Sequence, residues 1–102
     1  MMPNMGNMMK QVQKMQKEME KTQKELEAKE FVVEDAQQLV KVVMNGKKEI
    51  KELTLKPELV DPEDIEMLQD LVLATVNEAI QEVEQTTQDQ MGQFTKGLNL
   101  PF

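Results

Sequence analysis

The 102-residue chain contains no cysteine, histidine, serine, arginine, tyrosine or tryptophan. Without cysteine there is neither a disulfide nor a thiolate metal site, which fits a reducing compartment. Without histidine, cysteine, serine and tyrosine the usual pairings of nucleophile and general base are impossible, and carboxylate-only chemistry remains. There is no phosphate-cradling glycine loop and no EF-hand spacing. The expectation is therefore a non-enzyme with no catalytic, cofactor or metal site and no small-molecule substrate. No apolar run approaches the roughly 20 residues of a membrane span. The opening MMPNMGNMMKQ lacks the apolar stretch of a signal peptide. These absences predict a soluble cytoplasmic protein with no membrane partner. The missing arginine also matters for nucleic acids, because bidentate arginine contacts to guanine are the commonest specific readout. With three phenylalanines as the sole aromatics, base stacking is equally poorly served. Any nucleic-acid binding by such a chain is backbone-driven and weakly specific.

What is present is charge, and it is unevenly distributed. The net charge of −7 argues at first against a nucleic-acid partner. Residues 1–56, however, hold eleven lysines against nine acids, whereas residues 57–102 hold one lysine against ten acids. Salt screens charges beyond about 8 Å, so a basic patch in the first half can act locally.

Residues 4–29 are rich in Met, Lys, Gln and Glu and predict a helix, with Asn4 or Asn7 as its cap. Met5, Met8, Val12, Met15, Met19 and Leu26, with Thr22, fall on a heptad seam. The seam reads as a helix-packing face or as an adaptable client-binding surface. From Phe31 the chain turns to Val, Leu and Ile, with Asn45-Gly46 between two apolar runs, a hairpin signal that rests on φ > 0. Strands are predicted near 31–34, 39–44 and 48–55. Ile50 is out of phase with Leu53 and Leu55, which predicts a bulge or a longer loop.

Asp61-Pro62 then opens a second helix expected to run to about Met91, with Asp61 as its cap. Ile65, Leu68, Val72, Val76, Ala79, Ile80 and Val83 form its apolar stripe, widened by Met67, Leu71 and Ala74, with Leu73 outside. That is more apolar surface than one small sheet needs. The acids Asp61, Glu63, Asp64, Glu66 and Asp70 read as helix capping and solvation. The glycine-punctuated segment 92–102 reads as a flexible tail. The whole reads as one domain over 1–102: a helical arm (1–30), a sheet (31–56), a long helix (61–91) and the tail.

Lys10, Lys14, Lys17, Lys21 and Lys24 step by 4, 3, 4 and 3 residues, opposite the methionine seam, with Gln13 and Gln16 beside them. Two readings stay open on spacing alone: a rail that contacts phosphates, and the solvated back of an amphipathic helix.

Four segments together resemble the YbaB/EbfC nucleoid-associated family: GNMMKQVQKMQKEM at 6–19, LVKVVMNG at 39–46, VDPEDIEMLQDLVLATVNEAI at 60–80 and MGQFTKGLNLPF at 91–102. One departure is Glu34-Asp35-Ala36-Gln37-Gln38, where members of that family often carry a glycine-rich link. The resemblance implies an α+β (α/β) fold of helix, three-stranded antiparallel sheet and long helix. It implies a tweezer-like homodimer with projecting helical arms, binding double-stranded DNA in the nucleoid, with roles in nucleoid organisation and gene regulation. It places the DNA contacts on the arm, which by position points to Gln13, Lys14 and Lys17 with neighbouring Lys10 and Lys21; the lysine spacing extends the row to Lys24. Apart from the resemblance, the next candidates after this row are the hairpin lysines Lys47 and Lys48 or the tail lysine Lys96. The wide apolar face predicts a dimer interface that includes Val40, Val42, Leu68, Leu71 and Val72. The competing reading is a prefoldin-like coiled-coil chaperone or adaptor, which shares the order helix, hairpin, helix.

Overall fold

The computed structural model describes residues 5–98, with side chains described from residue 6 to residue 94. Asn4 and the side chains of Met5 and Lys96 therefore lie outside the described residues. The elements follow the expected order: α1 (Met5–Ala28), β1 (Phe31–Glu34), β2 (Val40–Met44), β3 (Ile50–Leu55), a one-turn 3-10 helix (Pro57–Leu59) and α2 (Ile65–Leu98).

The three strands form an antiparallel sheet in sequence order. Alternation sets its faces. Phe31 and Val33 stand opposite Met44 and Val42, while Val40 and Val42 stand opposite Leu55 and Leu53. Phe31, Val33, Val40, Val42 and Met44 are buried with Leu59, Ala79 and Val83 of the following elements. Each of these side chains except the small Ala79 contributes about 1.5–3 kcal/mol by leaving water. α2 lies over β1 and β2 and leaves β3 largely uncovered.

The phase break in β3 is a bulge. Val43 pairs with Glu52 but Met44 pairs with Ile50, which leaves Lys51 as the extra residue. The hairpin before it is longer than a two-residue Asn-Gly turn. The Lys48 amide donates to the Asn45 carbonyl at 3.0 Å and the Asn45 amide to the Glu49 carbonyl at 3.0 Å. The left-handed residue is Lys48, with φ 65°, and Gly46 does not have positive φ. The expectation that Gly46 supplies the turn's positive φ is thus corrected. A three-residue loop closed by a left-handed residue is another standard hairpin solution.

The link without glycine between β1 and β2 is built by Asp35. Its carboxylate accepts the amides of Gln37 at 3.1 Å and Val40 at 2.7 Å. Gln38 takes the left-handed conformation, φ 59°, that a glycine would otherwise occupy.

Both ends of α2 differ from expectation. Asp61 and Pro62 form a turn instead of the first helical residues: Asp64 N–H donates to the Asp61 carbonyl at 2.9 Å, a turn in which Pro62 sits where proline is preferred. The cap is Asp64, whose carboxylate accepts the Met67 amide at 3.2 Å. At the other end the helix continues past Met91 through Gly92 to Leu98. The half-buried Met91 and Phe94 carry it across the glycine. Residues 99–102 of the expected tail lie outside the described residues.

α1 packs on α2. Along its seam Met15, Met19 and Thr22 are half-buried and Leu26 is buried, while every residue from Gly6 to Lys14 is exposed. The molecule measures 79 × 23 × 15 Å, with a radius of gyration of 20.3 Å. A compact chain of this length has a radius near 13 Å. The excess reflects α1 projecting as an arm from the sheet and α2.

Candidate functional site

All five ridge lysines lie on α1 and all are exposed. Their 4-3-4-3 spacing keeps them on one side of the helix, away from the seam that meets α2. Among the described residues the ion pairs are Lys47–Glu27, Lys48–Glu84 and Lys51–Glu49. The five ridge lysines enter none of them, so their charge faces solvent. The first acid in the chain is Glu18, so the outer arm, residues 5–17, carries three lysines and no acid. α2 has the opposite sign: six acids against Lys96 over 65–98. The field of the molecule is thus polarised, with its positive end on the part that projects furthest.

Gln13 and Gln16 are exposed on the same stretch, where they border a shallow groove lined by Met8, Met9 and Val12. Gln13 can donate to a phosphate or to a base edge from there. The structure therefore brings Lys10, Gln13, Lys14, Lys17, Lys21 and Lys24 together on one arm. The hairpin lysines Lys47 and Lys48 are engaged by Glu27 and Glu84.

The residues expected at a dimer interface divide into two groups. Val40 and Val42 are fully buried within the chain, beneath α2, and have no surface to offer a partner. Leu68 and Val72 are half-buried on the side of α2 that faces β3, whereas the half-buried Leu71 lies on the other flank of the helix, beside Asp35, Ala36 and Gln37. Sequence reasoning missed the rest of that apolar surface. Leu53, Leu55, Leu68, Val72, Leu73 and Val76 line a groove of about 510 Å³ between β3 and α2. The signal was Leu73, a large apolar residue outside the main stripe and 63% exposed. It also missed Asp35, because an Asx turn leaves no periodicity in the sequence.

Comparison with known proteins gives a consistent result. The model of the YbaB/EbfC DNA-binding family matches residues 1–98. The Bacillus subtilis nucleoid-associated protein YaaK is 58% identical over 100 residues, covering 98% of this chain and 94% of that one. A nucleoid-associated protein of Alkaliphilus metalliredigens is 54% identical over 99 residues, covering 97% and 87%. A crystal structure of an uncharacterized Helicobacter pylori protein superposes with a TM-score of 0.70 at 19% identity, covering 87% of this chain and 94% of that one. The last supports the helix, sheet and long-helix fold. None of these findings favours the prefoldin-like reading.

Proposed function

The chain belongs to the YbaB/EbfC DNA-binding family, and from that premise we propose that it binds double-stranded DNA through α1, as a homodimer, with little sequence specificity and no catalysis. The observation that carries the reading is the row of five exposed lysines free of ion pairs on a projecting helix. Lysine is a point charge suited to phosphate, and with no arginine in the chain contacts to bases are few. Relatives at 54–58% identity are named nucleoid-associated, which supports a place in the nucleoid and a role in its organisation and in gene regulation.

The homodimer supplies the second arm. The groove between β3 and α2 matches the apolar core of an obligate interface. Two arms on one duplex act together, so weak contacts on each combine into useful affinity.

The test is fluorescence anisotropy of two unrelated duplexes of equal length, titrated with the protein in low salt. Similar affinity for both is expected. The variant Lys10→Gln/Lys14→Gln/Lys17→Gln/Lys21→Gln should lose most binding to each and keep its oligomeric state. Undiminished binding by this variant overturns the reading.

A further inference from the structure

We propose that the β2–β3 hairpin is the joint that fixes the direction of the α1 arm, with Gly46 as its positioning residue. The proposal rests on α1 being the DNA-contacting element.

The Gly46 amide donates to the Glu27 carbonyl at 3.2 Å and so satisfies one of the open carbonyls in the last turn of α1. Glycine is needed there for space. A Cβ at position 46 would overlap the Leu26 carbonyl group and press on the Glu27 Cα. Both are backbone, in the last turn of a helix, and no rotamer change relieves the clash.

The loop that presents Gly46 is rigid. Asn45 is buried. Its Oδ1 accepts the amides of Lys47 at 2.9 Å and Glu49 at 3.0 Å, while its Nδ2 donates to the Glu49 carboxylate at 2.8 Å. The same loop reaches both helices. Lys47 lies 4.0 Å from the Glu27 carboxylate on α1, and Lys48 donates to the Glu84 carboxylate on α2 at 2.8 Å. One short loop thus holds the end of the arm against both the sheet and the long helix.

The position of this joint gives it leverage. From Glu27 to Gln13 is about 21 Å of helix at roughly 1.5 Å per residue. A tilt of about 10° at the joint therefore moves the ridge near Gln13 by about 4 Å. The phosphates of one strand advance by about 3.4 Å along the duplex. Small changes at Gly46 are enough to put the lysines out of register.

The absence of native cysteine allows spin labels at Gln11→Cys, an exposed position of the arm outside the lysine row, and at Glu58→Cys on the body, with labelled protein diluted into unlabelled protein. The parent should give one narrow distance distribution. Gly46→Ala should shift or broaden it by several ångströms with helical content retained, and should weaken duplex binding roughly tenfold, through lost preorganisation. A distribution identical to the parent's overturns the joint, whatever happens to DNA binding. A displaced arm with undiminished DNA binding upholds the joint and overturns the DNA-contacting role of α1. If Gly46→Ala does not fold, Asn45→Ala, which removes the brace of the loop without adding bulk, takes its place, and the same two distance outcomes decide.

Discussion

Val42 and Leu53 stand opposite each other in the β2–β3 ladder, yet Val42 is fully buried and Leu53 is 47% exposed. Val40 and Leu55 repeat the contrast one pair further on, with Leu55 half-buried. The sheet face is continuous, but its cover is not: α2 reaches across β1 and β2 and stops. An apolar edge strand beside an apolar helix flank invites association, which natural proteins satisfy or block. The groove itself carries no charge: it is lined by leucine and valine with Gln69 as its polar member.

The dimer reading makes a prediction about sidedness. Leu53→Asp or Leu73→Asp places a charge in the groove but leaves the core of the chain untouched. Each should convert a dimer to a folded monomer in sedimentation, at a cost of about 2 kcal/mol or more at a central interface position. Val32→Asp is the control. Val32 is 54% exposed but lies on the opposite sheet face, so this variant should remain dimeric. Dissociation by all three variants alike would place the interface elsewhere.

Gln38 offers a stabilising change. A residue other than glycine held at φ 59° costs about 1–2 kcal/mol relative to glycine. Glycine loses part of that gain, about 0.5–1 kcal/mol, through greater freedom in the unfolded chain. Gln38→Gly should therefore stabilise by about 0.5–1 kcal/mol and raise Tm by a few degrees. A lower Tm would show that the Gln38 side chain makes a stabilising contribution of its own.

Two carboxylates predict the acid limb of stability. The Val40 amide holds the Asp35 carboxyl below its usual range, against partial desolvation, with the Gln37 amide helping. The Asn45 side chain does the same for Glu49, followed by the charge of Lys51, against some desolvation, and then by the charge of Lys47. With folded values depressed, the unfolded chain binds more protons as pH falls. Their stabilisation is present above the ordinary carboxylate pKa of about 4 and is lost as pH drops through the folded values. Thermal melts from about pH 6 to pH 3 should show falling Tm. Asp35→Asn/Glu49→Gln should flatten that fall; an unchanged slope assigns the acid sensitivity to other groups.

Element order was legible because it is written in periodicity. The heptad of α1, the alternation about Val42 and the stripe of α2 each follow from which side chains leave water. The boundaries of α2 were less legible. Asp61-Pro62 suits a helix start and a turn equally well, and the hydrogen bonds to Asp61 select the turn. Gly92 reads as a breaker, yet packing of α1 against α2 outweighs the roughly 1 kcal/mol that a glycine costs within a helix. Gly46 was singled out correctly but for a different reason. A clash with the backbone of Leu26 and Glu27, nineteen residues earlier in the chain or more, has no local signature. The lysine row was fully visible, since it depends on spacing along a single helix. The open groove was half visible, because Leu73 marks a second face on α2 but nothing in the sequence places Leu53 opposite it.

The lysine row leads to a quantitative prediction. If about four lysines per chain meet phosphates in a dimer, roughly eight counterions are released and the log–log dependence of affinity on salt has a slope near −7. The acidic α2 helices add repulsion that lowers affinity at low salt, while the steep fall as salt rises comes from the lysine contacts themselves. Lys14→Gln removes one contact per chain, two per dimer, and should reduce the magnitude of the slope by about 2 while weakening all duplexes alike. Lys17→Gln should do the same, since both residues lie on one ridge and are exposed. Lys56→Gln, an exposed lysine next to the sheet and away from α1, should leave the slope where it was. Gln13→Ala should leave the slope unchanged too, because it removes no charge, and should change affinity unequally among sequences if the amide reaches a base edge. A slope insensitive to Lys14 and Lys17 but reduced by Lys47→Gln or Lys48→Gln would move the phosphate contacts from the arm to the hairpin. The joint and the rail would then be one surface.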